Sequence, residues 1–364
     1  MTSARRIAVL GTGLVGTSIA MAGVRAGDDV RGWDADPQVL ARASRQGGFE
    51  PARDLASCVL EADLVFVCTP AATIADVATE ALRATESAVV TDAGSVKAHV
   101  VEEVRRAAAP GDRRRFVAGH PMGGSERSGP DGASASVVDG IVWALTPTDE
   151  ADEAAIELLE SWVTSVGSRP IRLDPERHDR LVAIVSHLPQ VASTVLMGLA
   201  AAEEADEPDL LLLAAGGFRD LTRLASSNPA LWSDILLSNR EAIAQAIDLY
   251  VERLIELRDL VGDGKAEAVE EAFAAAKAAR LKLTAKPHVR SGVAVLQVPV
   301  PDRPGTLAEL TAVLGAARVN IEDLQIVHSP EGGRGTVHLT VAAQAADDAV
   351  AALRQGRFEP ARIA

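Results

Sequence analysis

Cysteine, basic clusters and long apolar runs are scarce or missing in this chain of 364 residues. Its two cysteines, Cys58 and Cys68, are too few for a disulfide framework, and we expect both to be reduced packing residues. Apolar runs stay shorter than the ~18 residues of a membrane span, and the N-terminus lacks the pattern of a signal peptide. The sequence therefore predicts a cytoplasmic protein without a membrane partner.

The charge pattern argues against a second class of partner. The net charge is −15, and no basic cluster is long enough to hold a phosphate backbone. We therefore predict neither a nucleic-acid partner nor an anionic membrane as a partner. We also predict no metal site. Hydrophobic residues make up 48% of the chain, which is enough for two or three domains with proper cores.

The chain opens with a glycine pattern that predicts a dinucleotide site. A short apolar run at 7–10 leads directly into Gly11, Gly13 and Gly16, and an apolar helical pattern follows. Gly11 permits a tight turn, Gly13 lets the backbone approach a pyrophosphate, and Gly16 lets helix and strand pack closely. Asp34 closes the next strand, where a carboxylate binds a ribose 2′-hydroxyl and repels a 2′-phosphate, so NAD is favoured over NADP. The alternative is an ordinary strand–helix turn with a surface aspartate.

Residues 1–173 alternate between strand and helix patterns, which predicts an α/β fold with a Rossmann-type parallel sheet. The strands are short continuous apolar runs, typical of a parallel sheet covered on both faces. Ligands bind beyond the carboxyl ends of such strands, so the segments that follow them should line one crevice. The predicted strands are 7–10, 30–33, 64–68, 88–91, 116–118, 141–145 and 170–173. The predicted NAD-binding residues are Gly11, Thr12, Gly13, Leu14, Val15, Gly16, Asp34, Thr69 and Pro70.

Residues 174–284 predict an all-helical domain instead. The third helix has Asn228 at its N-cap and Pro229 as its first residue. The helices carry more apolar surface than one small bundle needs, and we expect a homodimer formed through them. The predicted helices are 177–205, 210–226, 229–261 and 265–282.

A linker at 284–291 precedes a third module, residues 291–364. Its strand and helix patterns follow the order βαββαβ, which predicts a ferredoxin-like sandwich.

His120 is the first catalytic candidate. It follows an apolar strand and stands between Gly119 and Pro121, so its imidazole should project into the predicted crevice. An unperturbed pKa of ~6.5 suits a general base at neutral pH. The alternative is that His120 only caps a strand end. Its expected position beside Ser95 and Glu126 favours a catalytic role.

Ser95 lies in the small loop Asp92-Ala-Gly-Ser-Val-Lys97, where it could approach both a nicotinamide and a substrate hydroxyl. Ser95 or Asp92 could also cap the helix expected near Val96. The two roles are compatible.

Arg219 and Arg223 stand one helical turn apart. Guanidinium groups bind carboxylates bidentately, so the pair predicts a dicarboxylate substrate. Phe218, Leu221 and Leu224 should partly bury this helix and direct at least one arginine into a polar pocket. A surface salt-bridge ladder is the alternative.

Five motifs, in order over about residues 5–284, resemble the prephenate/arogenate dehydrogenase family of tyrosine biosynthesis. They are Gly11-Thr-Gly-Leu-Val-Gly16, Asp92-Ala-Gly-Ser-Val-Lys97, Gly119-His-Pro-Met-Gly-Gly-Ser-Glu126, Ser186-His-Leu-Pro189 and Gly217-Phe-Arg-Asp-Leu-Thr-Arg223 through Trp232. The resemblance implies NAD-dependent oxidative decarboxylation of prephenate or of arogenate, which the sequence does not distinguish.

The resemblance also implies roles for individual residues. His120 is the catalytic base, and Ser95 lies against the reacting hydroxyl and the nicotinamide. Arg223 binds a substrate carboxylate, and His187, Glu126 and Trp232 are further substrate-side residues. Arg219 is predicted to bind substrate from its spacing to Arg223 alone. One departure from the family is Gln190, where members often carry a second histidine.

The C-terminal module resembles the ACT domain, a small amino-acid-sensing fold, through Val298-Pro-Val-Pro-Asp-Arg-Pro-Gly305 and Val319-Asn-Ile321. The resemblance implies that Gly305 and Asn320 contact an effector amino acid, for which we expect tyrosine as feedback inhibitor. A dimerisation module without a ligand is the alternative.

Two other functions remain open. One is an NAD-linked dehydrogenase of 3-hydroxy acids, although such enzymes usually carry a lysine–asparagine pair on the first helix of the second domain, and the segment 186–190 offers no such lysine. The other is a catalytically inactive sensor of nucleotide and amino acid.

Overall fold

The computed structural model describes residues 4–123, 129–284, 292–328 and 334–363. The chain divides into two compact units, Met1–Val195 with Leu224–Leu249, and Leu196–Arg223 with Tyr250–Ala364. The segment predicted as one helical domain is therefore shared between the units. The domain boundaries at 173, 284 and 291 stay predictions.

The first unit contains the predicted Rossmann-type sheet. Its elements are β1 (Arg6–Leu10), α1 (Leu14–Ala26), β2 (Asp29–Trp33), α2 (Pro37–Gly47), β3 (Glu50–Pro51), α3 (Leu55–Val59), β4 (Leu64–Val67), α4 (Ile74–Ala84), β5 (Val89–Asp92), α5 (Ala98–Ala107) and α6 (Pro110–Arg113). The strands pair in parallel in the order β3-β2-β1-β4-β5. Ile7 and Val9 of β1 pack into one core, and Ala8 and Leu10 into the core on the opposite face. Both faces are covered, which explains the continuous apolar runs.

The last three strands of the α/β region form a sheet of their own. They are β6 (Ala118–Pro121), β7 (Val142–Thr146) and β8 (Arg169–Arg172), with α7 (Glu153–Ser165) before β8. β6 and β7 are antiparallel, and an isolated bridge between Val90 and Phe116 joins this region to β5. The predicted strand 116–118 is thus shifted toward His120. Parallel pairing needs a long crossover, and the described part of the β6–β7 connection contains only the short 3₁₀ turns Pro130–Gly132 and Ala135–Val138.

The helical segment departs from its predicted pattern in three places. Its helices are α8 (Pro175–Val182), α9 (Leu188–Glu203), α10 (Gly216–Thr222), α11 (Pro229–Ser238), α12 (Arg240–Gly262) and α13 (Ala266–Thr284). A π-helical turn, Ala183–His187, joins α8 to α9, and the predicted helix 210–226 is broken into short turns around α10. The predicted helix 229–261 is interrupted at the buried Asn239. The N-cap at Asn228 is confirmed, because its side chain accepts hydrogen bonds from the N–H groups of Ala230 and Leu231.

One helical run, Pro175–Glu203, is long and apolar enough to cross a membrane by length and composition. The sequence pattern predicted no run of this length, and that prediction is wrong. The run also carries His178, Asp179 and His187, which are all buried among elements of the first unit. Buried charged and polar side chains are typical of a helix inside a folded domain. We therefore assign Pro175–Glu203 to a folded domain.

The C-terminal module is a ferredoxin-like sandwich, as predicted. Its elements are β9 (Val293–Pro301), α14 (Thr306–Ala316), β10 (Ile321–His328), β11 (Arg334–Ala342), α15 (Ala346–Gln355) and β12 (Ala361–Arg362). The strands are antiparallel in the order β10-β11-β9-β12. Alternate residues of β9, such as Leu296 and Val298, pack against Leu310, Leu314 and Leu353 of the two helices. One covered face accounts for the period-two apolar pattern.

Candidate active site

The glycine turn, which comprises residues 11–16 from the end of β1 into the start of α1, excludes side chains at two positions. Gly11 has a φ of +90°, and a Cβ there would lie 2.8 Å from the carbonyl of Cys68. A Cβ on Gly16 would lie 1.9 Å from the carbonyl oxygen of Gly11. No described atom lies within 4 Å of a Cβ built on Gly13, where α1 begins without a side-chain cap. Uncapped N–H groups beside open space suit the pyrophosphate of a dinucleotide.

Asp34 braces this turn. Its Oδ2 accepts hydrogen bonds from the N–H (2.7 Å) and the hydroxyl (3.1 Å) of Thr12, and its Oδ1 accepts one from the N–H of Asp36 (2.9 Å). The carboxylate is thus fixed beside the turn, where it disfavours a 2′-phosphate. This bracing role adds to the predicted contact with the ribose.

Thr69 borders the glycine turn from the segment after β4. Its N–H would lie 2.9 Å from a Cβ on Gly11, and its hydroxyl is buried without a hydrogen-bond partner among the described residues. Buried hydroxyls are nearly always paired, so this one fits a polar group of a bound ligand. Leu14 and Val15 are half-buried at the start of α1, and Pro70 is exposed. The residues present therefore fit NAD.

A buried ion pair between Asp92 and Lys97 holds the residue before His120. Lys97 Nζ donates to the Asp92 carboxylate and to the carbonyl of Gly119 (2.7 Å), and the N–H of Gly119 donates to Asp92 Oδ1 (3.1 Å). Burial lowers the pKa of Lys97, and the Asp92 carboxylate opposes that shift. Ser95 lies in the loop between these two side chains and is half-buried. The pair fixes both backbone polar groups of Gly119 and so positions His120.

Neither Ser95 nor Asp92 caps the helix that follows, contrary to one interpretation of the sequence. The helix α5 begins at Ala98, and its first N–H groups, those of Lys97 and Ala98, donate to the two carboxylate oxygens of Asp179 at 2.8 Å each. The cap is therefore supplied by α8, a helix about 80 residues further along the chain. Asp92 is occupied by Lys97 instead.

His120 is the end of a chain of three side chains. Its Nδ1 lies 2.9 Å from Nε2 of His178, and Nδ1 of His178 lies 2.8 Å from Oδ1 of Asp179. Burial lowers the pKa of His120 well below its usual value of 6.5, and repulsion from His178, Lys97 and His187 lowers it further. His120 is therefore neutral at physiological pH, as a proton acceptor must be.

His187 lies in the π-helical turn and is 1% exposed. Its Nδ1 is 3.3 Å from Nδ2 of Asn239, which also donates to the backbone carbonyl of Asp179 (2.9 Å). Trp232 meets the imidazole edge-on, with ring centroids 6.1 Å apart. Burial lowers the pKa of His187 to about 4, against the attraction of Asp179. The structure thus joins His120, His178, Asp179, Asn239 and His187, which we call the histidine cluster.

Sequence reasoning missed three members of this cluster. His178 and Asp179 stand in the charged first turns of α8, which is the ordinary pattern of a capped, solvated helix start. Asn239 lies in the polar run Ser238-Asn-Arg-Glu241 between two apolar helical stretches, and that interruption was the available signal. Gln190 is also engaged, because it donates to the carbonyl of Leu224 (2.8 Å) and accepts from the hydroxyl of Ser227 (3.3 Å).

The two arginines lie in the second unit, and both are exposed. The expected partial burial of their helix holds for Phe218 and Leu224, which are half-buried, but is wrong for Leu221, which is 66% exposed. The reason is local, since α10 has only seven residues and the chain around it is broken into short turns. The substrate-binding roles of Arg219 and Arg223 stay predictions. Glu126 lies outside the described residues.

The two predicted effector residues lie in the ferredoxin-like module. Gly305 has a φ of +93° and precedes the first turn of α14. The Asn320 side chain donates to Glu322 (2.7 Å). Their contact with an effector stays a prediction.

Three family models match the chain. Residues 19–172 match the model described as prephenate dehydrogenase, nucleotide-binding domain, and residues 174–275 match prephenate dehydrogenase, dimerization domain. Residues 294–355 match the ACT domain.

Whole-chain relatives agree. The chain is 32% identical to the prephenate dehydrogenase of Bacillus subtilis, over 92% of this chain and 91% of that one. It is 31% identical to the cyclohexadienyl dehydrogenase of Zymomonas mobilis, over 80% of this chain and all of that one.

A solved structure extends the likeness to the fold. The prephenate dehydrogenase of Aquifex aeolicus, in complex with hydroxyphenyl propionate and NAD⁺, superposes with a TM-score of 0.72. The identity is 30%, over 77% of this chain and 99% of that one. The cofactor is NAD, and the chain, an NAD-dependent oxidoreductase with a C-terminal ACT domain, belongs to the prephenate dehydrogenase family.

Proposed function

We propose that this enzyme converts prephenate into 4-hydroxyphenylpyruvate by NAD-dependent oxidative decarboxylation, in tyrosine biosynthesis. The observation that carries the proposal is the chain from Asp179 through His178 to His120, which supports a neutral imidazole at the end of a strand, next to the Asp92–Lys97 pair. The relatives named prephenate dehydrogenase supply the reaction class.

Bound NAD⁺ would supply the hydride acceptor. The glycine turn would hold its pyrophosphate, Asp34 its ribose, and Thr69 a polar group beside the turn. Orientation is the main contribution of these residues, since a bound and aligned pair of reactants reacts without the entropic cost of meeting.

His120 is the general base in this proposal. The proton of the substrate 4-hydroxyl passes to the imidazole while the C4 hydride leaves, and Ser95 contacts the same hydroxyl. The bond from the ring to its carboxylate then breaks, its electron pair completes the aromatic ring as CO₂ departs, and the phenolate oxygen takes the proton back from His120. Arg223 and Arg219 bind substrate carboxylate, and His187, Trp232 and Glu126 line the substrate side.

Arogenate is the second candidate substrate, since one of the relatives is named cyclohexadienyl dehydrogenase. The two substrates differ in a keto group against an amino group, and one pocket residue can favour either. Gln190, at a position where the family often has histidine, is such a residue.

Assembly, location and regulation complete the proposal. Exposed apolar side chains on the helical segment, among them Val185, Val195 and Leu199, support a homodimer, as does the match to a dimerization domain. The site of action is the cytoplasm. Tyrosine binds the ACT domain at Gly305 and Asn320 and inhibits the enzyme.

Parallel steady-state assays test the proposal. NADH production is measured with prephenate and with arogenate, each with and without tyrosine, and sedimentation measures the assembly. We expect a higher kcat/KM with prephenate, inhibition by tyrosine, and a dimer. A higher kcat/KM with arogenate makes the second candidate correct, and no NADH from either substrate overturns the function.

A further inference from the structure

Asp179 can only accept hydrogen bonds in the histidine cluster. Its carboxylate already accepts the N–H groups of Lys97 and Ala98, at 2.8 Å each. A carboxylate that accepts from backbone donors at both oxygens is an acceptor for His178 as well, so Nδ1 of His178 carries a hydrogen. In the neutral imidazole of His178, Nε2 is then the unprotonated nitrogen.

The protonation of His178 determines which ring nitrogen of His120 carries the hydrogen. Nε2 of His178 accepts, so the atom 2.9 Å away, Nδ1 of His120, must donate. Neutral His120 therefore has its lone pair on Nε2, which is the nitrogen available for a substrate proton. If His178 became doubly protonated, its Nε2–H would donate instead and place the hydrogen of His120 on the wrong nitrogen.

In His187 the hydrogen lies on the other ring nitrogen from that in His120. Nδ2 of Asn239 donates to the backbone carbonyl of Asp179, and because a carbonyl can only accept, the orientation of this amide is fixed. The same Nδ2 faces Nδ1 of His187 at 3.3 Å. Nδ1 therefore accepts, and neutral His187 carries its hydrogen on Nε2.

We propose that His178 and Asn239 are positioning residues that give His120 and His187 opposite tautomers, so that one imidazole accepts a proton from the substrate and the other donates a hydrogen bond to it. Asp179 organises both, through its carboxylate on one side and its backbone carbonyl on the other. The catalytic use of these tautomers rests on the proposed function, whereas the tautomers themselves do not.

Titratable side chains surround both imidazoles. His120 faces His178, Lys97 and His187, and each disfavours a second proton on it. His187 faces the Asp179 carboxylate, which favours a second proton, and His178, which disfavours it. Both rings are neutral at pH 7.5, and the tautomers are determined by NMR at that pH.

Nitrogen-15 NMR on the full-length, histidine-labelled enzyme tests the tautomers directly, because protonated and unprotonated ring nitrogens differ widely in chemical shift. His120→Asn and His187→Gln assign the two signals by their loss. We expect His120 to be protonated at Nδ1 and His187 at Nε2. The reverse state at either ring overturns the proposal, whether or not prephenate is a substrate.

Variants then test the positioning roles. His178→Phe removes the acceptor for His120, and we expect kcat to fall roughly 10²-fold, with mixed protonation of His120. His178→Gln returns an acceptor oxygen and should recover most of kcat. Asn239→Leu should raise the substrate KM roughly 10-fold with little change in kcat, because His187 then no longer has a fixed donor at Nε2.

The exposed His99 on α5 supplies the matched control, since His99→Phe removes only its own signals and should change neither the His120 and His187 signals nor the kinetics. A His178→Phe enzyme with unchanged kcat and unchanged His120 signal overturns the role of His178. Equal losses of kcat in the Phe and Gln variants would also overturn it, because a packing defect alone produces that result. Wild-type enzyme that oxidises neither substrate removes the proposed function and leaves the NMR test intact.

Discussion

The glycine turn and the histidine cluster both lie in the first unit, but different parts of the chain build them. Six consecutive residues form the turn. Its geometry depends on the backbone, because two of its glycines have no room for a Cβ. The cluster is formed by side chains instead, and its members come from β6, α8, the π-helical turn and the break before α12. The comparison shows that the glycine turn depends on local backbone geometry, whereas the histidine cluster depends on hydrogen bonds between residues far apart in the chain.

The largest effect should come from Gly16→Ala. Alanine favours a helix by about 1 kcal/mol over glycine, but here its Cβ would lie 1.9 Å from the Gly11 carbonyl oxygen. We expect a loss of about 3–5 kcal/mol in the free energy of unfolding, with loss of NAD binding.

Gly13→Ala is the matched control, because its Cβ meets open space in the described structure. Its Tm should stay within the error of wild type while the NAD Kd rises roughly 10-fold, since the methyl group stands where the backbone approaches the pyrophosphate. Thermal unfolding and NAD titration measure both. Equal Tm values for the two variants would show that overlap at Gly16 is relieved without cost.

His120→Asn should have the next largest effect. Removal of a general base lowers kcat by about 10²–10⁴-fold, while NAD affinity and the substrate KM stay close to wild type. His99→Asn, on the exposed surface of α5, is the control. An unchanged kcat in His120→Asn removes this residue from the mechanism.

Acid should destabilise the first unit through His187. Its pKa is about 4 when folded and 6.5 when unfolded, so the folded state disfavours the proton. The stability is fully present above pH 6.5 and is lost as the pH falls toward 4, by about 3 kcal/mol at most. His120 acts in the same direction.

Urea unfolding at pH 7 and pH 5 measures this dependence. All four tryptophans, Trp33, Trp143, Trp162 and Trp232, belong to the first unit, so their fluorescence reports on that unit. The His187→Gln variant should lose less stability than wild type between the two pH values. Equal losses would assign the acid sensitivity to other groups.

Arg223→Ala tests a residue outside both regions and should have the smallest effect. Loss of a charge-assisted hydrogen bond to a carboxylate costs about 1.5–3 kcal/mol, which corresponds to a rise of roughly 10–100-fold in the substrate KM. The KM for NAD should not change. Arg253→Ala, which removes an exposed ion pair with Glu256, is the control. An unaltered substrate KM would make Arg223 structural.

The same contrast explains what could be predicted from the sequence. The fold class followed from local patterns, because continuous apolar strands, alternating strands and helical periodicity each report on nearby burial. Gly16 and Asp34 were identified because their contacts with Gly11 and Thr12 lie within about 25 residues, and Gly11 because its turn requires a positive φ. His120 was identified from its place at a strand end.

The partners of His120 could not be found in this way. His178 and Asp179 follow His120 by almost 60 residues, and only tertiary packing brings them together. The cap of α5 was misplaced for the same reason, since its acceptor comes from α8 rather than from the preceding loop. Asn228 was correctly expected to cap the helix that follows it, whereas Asp179 caps α5 from a distant helix, and only the fold decides such a pairing.

The π-helical turn has a consequence for how residues are counted along α8 and α9. Nine positions separate His178 from His187, and at 100° per residue a regular α-helix would place them roughly 180° apart. A π turn takes up one extra residue and sets the following side chains back by about 100°, so the two imidazoles come to within roughly 80° of each other around the axis. The π turn thus takes up the extra residue and keeps the two imidazoles on adjacent faces. If the unchanged sequence formed a regular α-helix through Ala183–His187 instead, His187 would be directed to the opposite face, away from Asn239.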